Sequence, residues 1–585
     1  MMTTIMTTDD TVGQSTETRW KEHCKTALRE FLLNAVIIDD QPYLESKLEQ
    51  TPKVASISPA LDDFGSTEAP AQLPSEEPSI NNEPPPLSGE KTDIDHGDSL
   101  HDLDVRQGTD AFTDEGMGCS FLFPSDTDTP DIIFERAKNM ARSADIIIID
   151  WYLREKKSDL TKRAIEEILQ DDKKQNGRLR LFCIYTGQPD TDDILTQLNS
   201  LCRSHLSNLK IDKSNSLIYS DNFCLVVLNK QNISISNLPK ELVNRFFCIA
   251  DGILPSFVLS AISALRTNVH HLITRFPKHL DYAYVANRLI TDPPGDVSEL
   301  IRELFVSECD TAVGLERVAD KYLENDAMLL WLEHRESSGN LTKPVNGGKG
   351  LNIDISLIQN LISNGFDSSK DELLHNGASV KFQEHKRKLI SHFLYESEEE
   401  SKIREAEFSR LVTMKREAFG NTKIFSQDDN WTPSLTLGSI LRINHENSDE
   451  EYIYCLTPAC DTVRLNKDGR PFMFILLRES PEKTGIILKD TDGNQIKLST
   501  SKFESASVRI WNFVGNEKLG RVLSYRAADN RFLFTAKSGE EFEWMGEVRG
   551  PRAQNHLSEM TKQWMRFGIL DSEYHRLAGK GKSEY

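Results

Sequence analysis

The sequence has 585 residues, a length typical of three or four domains, with 38% hydrophobic and 27% charged residues. Its formal net charge of -22 argues against general nucleic-acid binding, which requires a basic surface. No apolar run approaches a membrane span, the N-terminal residues do not resemble a signal peptide, and the nine cysteines form no paired framework, so we expect a reduced, cytoplasmic protein.

Helical and strand patterns alternate in the first part of the chain. A helix over 17–33 leads into a strand over 35–39, and residues 52–115 are rich in Pro, Ser, Asp and Glu, which predicts a disordered insert. The next predicted elements are a strand at 120–123, a helix at 130–143, a strand at 144–150, a helix at 159–170, a strand at 179–186, a helix at 191–206 and a hairpin at 217–230. Continuous apolar strands are usual where helices cover both faces of a parallel sheet, so we predict a doubly wound α/β domain over 17–235.

The remaining residues predict three other kinds of structure. A helical pattern covers 239–345, and 346–430 has the composition of a linker followed by a heavily charged helix. Short apolar segments broken by Gly, Asn and Asp over 431–545 predict a small all-β domain, and a helical tail is predicted over 546–585. No phosphate-binding loop or nuclease constellation occurs here, so we expect partner binding or a scaffold role and no separate catalytic effector.

Residues suited to phosphoryl chemistry follow four of the predicted strands. Asp39 and Asp40 end the first strand, and Asp150 ends the second. Thr186 ends the third strand, and Lys230 ends the fourth. Because ligands bind outside the carboxyl ends of the strands in such sheets, we expect these side chains to form one site.

These residue types suit a carboxylate that accepts a phosphoryl group. A carboxylate is a poor nucleophile toward a phosphoryl group because both are negative, and a Mg²⁺ ion held by acidic oxygens removes that repulsion. A hydroxyl and a lysine then bind the phosphoryl oxygens as charge shifts during transfer. One aspartate after a buried strand is common, since parallel strands end in polar loops, but the order of four matched strand ends favours the phospho-acceptor. Lys213 is an alternative to Lys230, although it lies in a polar segment.

The segments VIIDD, ADIIIIDWYL, CIYTG and LVVLNK resemble the receiver domain of two-component response regulators, over roughly 34–235. The resemblance implies a five-stranded, flavodoxin-like fold and phosphorylation of Asp150 by a sensor histidine kinase. The other implied roles are Mg²⁺ binding by Asp39, Asp40, Asp150 and the Tyr152 carbonyl, and phosphoryl contacts by Thr186 and Lys230.

The sequence also departs from ordinary receivers. Asp40 and Asp150 are 150 − 40 = 110 residues apart because of the predicted insert. Val227 stands where an aromatic residue usually couples phosphorylation to an output surface, and Gln231 replaces the common proline. Tyr152 is bulky, and we hypothesise that it screens Asp150 from water and slows dephosphorylation. An aspartyl phosphate as long-lived in Tyr152→Ala as in the wild type would contradict this hypothesis.

A large receiver followed by a half without a recognised effector resembles the accessory receiver protein of the Detocs anti-phage system. In that family a histidine kinase senses infection, and another receiver protein carries a nucleotide-degrading effector. The accessory protein is understood to absorb stray phosphoryl groups, which implies a phosphate sink here. Two alternatives stay open: a response regulator with a cryptic output in 239–585, and a pseudo-receiver scaffold that never accepts phosphate.

Overall fold

The computed structural model describes residues 15–43, 103–125, 127–154, 157–174, 177–292, 294–339, 341, 344–346, 351–367, 372–375, 377–382, 384–395, 397–419, 431–443, 450–480, 485–499 and 507–564. The strands are β1 (Asn34–Ile38), β2 (Pro42–Tyr43), β3 (Leu103–Asp104), β4 (Gly118–Leu122), β5 (Ile146–Ile149), β6 (Arg180–Thr186), β7 (Lys210–Asp212), β8 (Leu217–Ser220), β9 (Phe223–Asn229), β10 (Val345–Asn346), β11 (Asn352–Ile353), β12 (Glu372–His375), β13 (Ala378–Lys381), β14 (Met414–Glu417), β15 (Ser439–Ile443), β16 (Glu451–Cys455), β17 (Arg470–Glu479), β18 (Ile486–Lys489), β19 (Gln495–Ser499), β20 (Val508–Phe513), β21 (Tyr525–Arg526), β22 (Phe532–Thr535) and β23 (Glu541–Val548). The α-helices are α1 (Thr16–Phe31), α2 (Val105–Asp114), α3 (Pro130–Ala141), α4 (Asp159–Lys174), α5 (Thr191–His205), α6 (Leu238–Arg245), α7 (Phe247–Ala250), α8 (Ile253–Thr267), α9 (Val269–Arg275), α10 (Asp281–Ile290), α11 (Gly295–Leu315), α12 (Val318–Tyr322), α13 (Asn325–Ser337), α14 (Ile355–Asn364), α15 (Glu384–Leu394), α16 (Glu398–Thr413) and α17 (Gly550–Trp564).

The chain forms two compact units. The first, which we call the α/β unit, comprises Leu32–Ile168 and Arg180–Arg245. The second unit comprises Met1–Phe31, Leu169–Leu179 and Phe246–Tyr585. Each unit is described by itself below.

A seven-stranded sheet forms the centre of the α/β unit, in the order β4-β1-β5-β6-β9-β8-β7. Its first five strands are parallel, and their order is that of flavodoxin-like folds, which confirms the predicted fold class. β8 and β7 add antiparallel strands at one edge, so the sheet is larger than the five-stranded sheet that the resemblance implies. Both β5 and β6 are buried along their whole lengths, as expected of continuous apolar strands.

β3 and α2 lie inside the segment predicted to be disordered. Asp104 caps α2 by accepting a hydrogen bond from the Gln107 amide at 2.9 Å, and Phe112 buries its ring completely. The predicted disorder therefore does not extend over 103–115, because a cap and a few apolar residues anchor a short helix there. Residues 52–102 lie outside the described residues.

The helix predicted to begin the α/β domain belongs to the second unit. α1 packs against α8 and α13, and its residues Trp20, Cys24 and Leu28 are buried. The Trp20 indole N–H donates to Asp251 at 2.8 Å, and the Ser260 hydroxyl donates to Glu30 at 2.8 Å. The amphipathic pattern of α1 is therefore satisfied by helices that follow the α/β unit in the chain.

The region predicted to be a linker contains a folded core. β10 pairs with β11, and β12 pairs with β13, both antiparallel. The buried side chains of this core are Leu332, Leu351, Ile353, Leu357, Ile358, Leu373, Phe382 and Phe393. The charged helix predicted in the same region corresponds to α16, whose first turn carries three glutamates.

The β-rich region is a ten-stranded antiparallel sheet that extends from β14 to β23. Two clusters of buried side chains pack on it, and α17 contributes Ala553 and Met560 to one of them. Of the predicted helical tail, 565–585 lies outside the described residues. Among the described helices none is long and apolar enough to cross a membrane alone, and one bent pair, Ile235–Ala250 with Ile253–Thr267, meets that criterion only jointly.

Candidate functional site

The predicted acidic residues lie together at the carboxyl ends of β1 and β5. Ile38 of β1 is in register with Ile149 of β5, so Asp39 and Asp150 leave two neighbouring strands at the same level. The Asp150 amide donates to the Ile38 carbonyl at 3.0 Å, which continues the strand pairing into the site. Asp39 and Asp150 are buried, and Asp40 is half-buried.

These three carboxylates form a cluster suited to a divalent cation. Asp39, Asp40 and Asp150 each offer one oxygen, and the three oxygens lie within 4.8 Å of one another. The Gln41 amide donates to Asp39 Oδ1 at 2.8 Å, and the Trp151 amide donates to Asp150 Oδ1 at 2.8 Å. Asp40 Oδ1 is buried without a hydrogen-bond partner. Because such an oxygen is costly to bury and Mg²⁺ prefers oxygen ligands, the donor set fits Mg²⁺.

Lys230 lies against the same carboxylates. Its amide donates to the Thr186 carbonyl at 2.8 Å, which continues the pairing of β9 with β6. Its Nζ is 2.9 Å from Asp39 Oδ2 and 3.7 Å from Asp150 Oδ2, with only 6% of the side chain exposed. Lys213, the alternative from the sequence, lies in an exposed turn between β7 and β8. The structure therefore brings Lys230, and not Lys213, to the acidic cluster.

Burial and mutual charge shift the ionisation of this cluster. Burial raises the pKa of Asp150 to about 7, although the charge of Lys230 opposes the rise. Burial also raises the pKa of Asp40. For Lys230, burial works against the charged form, but the carboxylates of Asp150 and Asp39 outweigh it and raise the pKa. An acceptor carboxylate must be ionised to attack phosphorus, so Asp150 needs positive charge beside it, and Lys230 supplies one such charge.

Thr186 and Tyr152 occupy the same edge of the sheet. Thr186 is buried at the end of β6, and its hydroxyl accepts a hydrogen bond from the Gln188 amide at 3.2 Å. Since β6 is the neighbour of β5, Thr186 emerges beside the strand that carries Asp150. Tyr152 is half-buried in the loop two residues after Asp150. The roles predicted for the Thr186 hydroxyl and the Tyr152 carbonyl stay predictions.

Two side chains that the sequence analysis did not single out fix the loops around Lys230. The Asn229 amide group donates to the Gln188 carbonyl at 2.6 Å, and its oxygen accepts from the Gln231 amide at 2.7 Å. The Tyr185 hydroxyl donates to the Ile233 carbonyl at 2.7 Å. These bonds join the loop after β6 to the loop after β9, so they position both Thr186 and Lys230.

Arg154 is a second feature that the sequence analysis missed. Its amide donates to Asp40 Oδ2 at 2.7 Å, so the backbone at this position orients a predicted metal ligand. It does so with φ = 67°, a left-handed conformation that is uncommon for residues other than Gly, Asn and Asp. The guanidinium donates through Nη1 to the Asp128 carbonyl at 2.8 Å, and its Nε and Nη2 are buried without hydrogen-bond partners. Because arginine is not a residue type that favours left-handed turns, the sequence did not predict this one.

Comparison with known proteins agrees with this geometry. Residues 31–234 match the family model described as the response receiver domain. No curated protein matches the chain, and no solved structure matches it. Residues 31–234 are therefore a receiver domain, which supports a phospho-accepting, response-regulator-like role and implies a phosphodonor such as a histidine kinase.

Proposed function

We propose that this protein takes a phosphoryl group from the phosphohistidine of a sensor histidine kinase onto Asp150, with Mg²⁺, and acts as a phosphate sink in an anti-phage phosphorelay. The observation that carries the proposal is the cluster at the sheet edge. Asp150 stands beside Asp39 and Lys230, and the buried oxygen of Asp40 lacks a hydrogen-bond partner. A lysine that served only in a structural ion pair would need one carboxylate, whereas Lys230 lies beside a cluster of three.

The proposed transfer uses residues of this chain in distinct roles. An Asp150 carboxylate oxygen forms a bond to phosphorus while the bond from phosphorus to the histidine nitrogen breaks, and the imidazole leaves with the electron pair of that bond. The Lys230 ammonium binds a phosphoryl oxygen, and the Thr186 hydroxyl donates a hydrogen bond to another. Asp39 and Asp40 would hold a Mg²⁺ ion, which would offset the negative charge of the carboxylate and the phosphoryl group.

Two observations support storage of the phosphoryl group over an ordinary output. Val227, at the usual place of the output-coupling aromatic, is a buried strand residue of β9. No catalytic motif occurs in the sequence of the second unit. The resemblance to the Detocs accessory protein adds the anti-phage setting and a second, effector-carrying receiver as a partner, and the unpaired cysteines of the sequence favour a cytoplasmic location.

The acceptor is tested by intact-mass measurement after incubation with a small phosphodonor and Mg²⁺. We expect one phosphoryl group on the wild type and none on Asp150→Ala. Asp192→Ala, an exposed aspartate at the start of α5, is the matched control and should gain the group like the wild type. A folded wild type that gains nothing, with an active phosphodonor, would instead indicate a pseudo-receiver scaffold.

The sink is tested by competition for a phosphorylated kinase. Adding the wild type should drain the phosphoryl group from the kinase and lower its transfer to an effector-carrying receiver, whereas Asp150→Ala should leave that transfer unchanged. If the added wild type becomes phosphorylated by the kinase but transfer to the second receiver is unchanged, the sink is contradicted and a cryptic output in 239–585 is favoured.

A further inference from the structure

The first turn of α4 contacts the proposed phosphoryl acceptor through a buried hydrogen bond. The Thr161 hydroxyl donates to the backbone carbonyl of Asp150 at 2.8 Å, and Thr161 has no exposed surface. The two residues are eleven positions apart in the chain, so this bond joins the start of the helix to the residue that ends β5. The transfer described above uses the Asp150 side chain and gives this bond no role.

Thr161 lies on the buried face of α4. Ala164, Ile165 and Ile168 follow it at intervals of three, four and seven residues, and all three are buried. Valine has nearly the shape of threonine, so an apolar side chain would fill this position equally well. Because a buried hydroxyl is costly without a hydrogen bond, the polar atom at this position indicates that its partner, the Asp150 carbonyl, has to be held.

The peptide group between Asp150 and Trp151 carries this contact to the carboxylate. Its carbonyl accepts the hydrogen bond from Thr161, and its N–H, at Trp151, donates to Asp150 Oδ1 at 2.8 Å. A peptide group is planar and rigid, so a fixed carbonyl also fixes the direction of the N–H. Thr161 therefore orients Oδ1 through one rigid group without touching the carboxylate itself.

The same turn of α4 also holds the residue after the acceptor. Lys162 places its Nζ 5.4 Å from the centre of the Trp151 ring, and Trp151 is buried. While Oδ1 of Asp150 is held by the Trp151 N–H, Oδ2 is the oxygen that lies 3.7 Å from Lys230 Nζ. The contacts thus fix one carboxylate oxygen and leave the other beside the lysine that is proposed to bind the phosphoryl group.

We propose that Thr161 is a positioning residue for phosphoryl transfer, whose hydroxyl orients the Asp150 carboxylate through the peptide group between Asp150 and Trp151. The inference rests on the proposed function, since it concerns the rate at which Asp150 attacks phosphorus. That rate depends steeply on the alignment of the nucleophile. Thr161 is fully buried and cannot contact a phosphodonor, so its loss should affect the rate of transfer and not the binding of the donor.

Three variants of the full chain test the proposal with a small phosphodonor and saturating Mg²⁺. Thr161→Val keeps the shape and removes the hydroxyl, so the maximal rate of phosphorylation should fall about tenfold. The phosphodonor concentration that gives half of that rate should stay within about twofold of the wild type. Thr161→Ser keeps the hydroxyl and should retain most of the wild-type rate. Ile165→Val removes one methyl group from the same buried face and should react like the wild type, which controls for lost packing.

Amide hydrogen exchange of the unphosphorylated protein provides a second measurement. The Trp151 amide should exchange faster in Thr161→Val than in the wild type and at the wild-type rate in Thr161→Ser, because only the valine variant frees the peptide group. Unchanged exchange in Thr161→Val would overturn the proposal even if that variant reacted slowly.

The outcomes separate this proposal from the proposed function. A phosphorylated wild type with an equally fast Thr161→Val would overturn the positioning role alone. The same conclusion would follow if Thr161→Ser or Ile165→Val were as slow as Thr161→Val. A folded wild type that accepts no phosphoryl group would overturn the proposed function and the positioning role with it, whatever the exchange at Trp151.

Discussion

The two units break the usual rule of burial in opposite ways. In the α/β unit the exceptions are charged residues inside: Asp39, Asp150 and Lys230 are buried against one another. In the second unit, which also buries the charged side chains of Arg410 and Glu417, most exceptions are apolar residues outside, such as Tyr282 and Ile290 on α10. Buried charges are costly unless they pair closely, so unusual clusters of them often mark sites that do chemistry, and large exposed apolar patches often mark association. The comparison supports the phosphoryl chemistry proposed for the α/β unit, and partner binding by the second unit stays a prediction.

The largest effect is expected from removing the charge of Lys230. Lys230→Met keeps most of the apolar stem but leaves the cluster without its cation. Phosphorylation of Asp150 by a small phosphodonor should slow at least about 100-fold, the effect typical of losing one stabilising donor in a transition state. Lys213→Met is the control, since Lys213 lies in an exposed turn. Equal rates in both variants would show that the charge of Lys230 does not contribute to phosphoryl transfer.

The second unit contains a buried ion pair whose loss should affect stability and leave the phosphoryl chemistry intact. Arg410 and Glu417 make two hydrogen bonds, at 3.0 and 2.7 Å, and both side chains are almost fully buried. Glu417→Gln should lower the free energy of unfolding by about 3 kcal/mol in chemical denaturation, because it leaves a buried arginine without its charge partner. Asp150 should still accept phosphate at the wild-type rate.

An exposed ion pair on α16, the helix that carries Arg410, provides the control for that prediction. Glu407 is 3.0 Å from Arg404, and about half of the Arg404 side chain is accessible to solvent. Glu407→Gln should change the free energy of unfolding by less than about 0.5 kcal/mol. A Glu417→Gln protein as stable as Glu407→Gln would show that the buried pair contributes little. Slower phosphorylation in Glu417→Gln would show that the two units are not functionally separate.

A smaller effect is expected at Arg154, whose backbone orients Asp40. Arg154→Pro removes the N–H that Asp40 accepts and cannot adopt φ = 67°. The Mg²⁺ concentration that half-saturates phosphorylation should rise about tenfold, equivalent to about 1.4 kcal/mol. Arg154→Gly keeps the N–H and tolerates the positive φ, so its Mg²⁺ dependence should stay within about twofold of wild type. A tenfold rise in Arg154→Gly as well would assign the effect to the guanidinium.

The smallest effect is a pH dependence of stability in the second unit. His556 is buried beside Tyr454, with its Nδ1 3.3 Å from the Tyr454 hydroxyl, and burial lowers the pKa of the imidazole. Below a pH of about 6.5 the unfolded chain binds a proton that the folded chain disfavours, so stability is full above that pH and falls below it. The slope from this group is at most about 1.4 kcal/mol per pH unit.

Denaturation at pH 7.5 and pH 5.5 measures that slope. His556→Gln should be less sensitive to the lower pH than the wild type, because the substituted side chain binds no proton. An unchanged loss of stability in His556→Gln would assign the acid sensitivity to other groups. The pH at which phosphorylation is measured should therefore be kept at or above neutrality in comparisons of variants.

The sequence predicted the strand-end residues because, in a parallel sheet, a short stretch of sequence is enough to identify a strand and the residue at its carboxyl end. An apolar run followed by Asp150 or Lys230 specifies a strand and its carboxyl end, and parallel register then brings those ends together. The loop contacts were not predictable in the same way. The left-handed turn at Arg154 and the amide bonds of Asn229 depend on loop conformation, which residue type alone does not reveal.

Long-range packing explains the other differences between sequence and structure. α1 has an ordinary amphipathic pattern, and nothing in that pattern indicates that its partners are α8 and α13. β3 and α2 were not predicted because the average composition of the segment that contains them is polar. Average composition also gave 346–430 the character of a linker, although Phe382 and Phe393 help to form a core there.

The measurement that tests the central claim most directly is the location of the phosphoryl group on the chain. Borohydride reduction converts an aspartyl phosphate to homoserine, which mass spectrometry of peptides assigns to a residue. After treatment with phosphodonor and Mg²⁺, the account predicts homoserine at position 150 alone, and none when Mg²⁺ is chelated. Reduction at Asp39 or Asp40, or no reduced aspartate in a folded protein that meets an active phosphodonor, would contradict it.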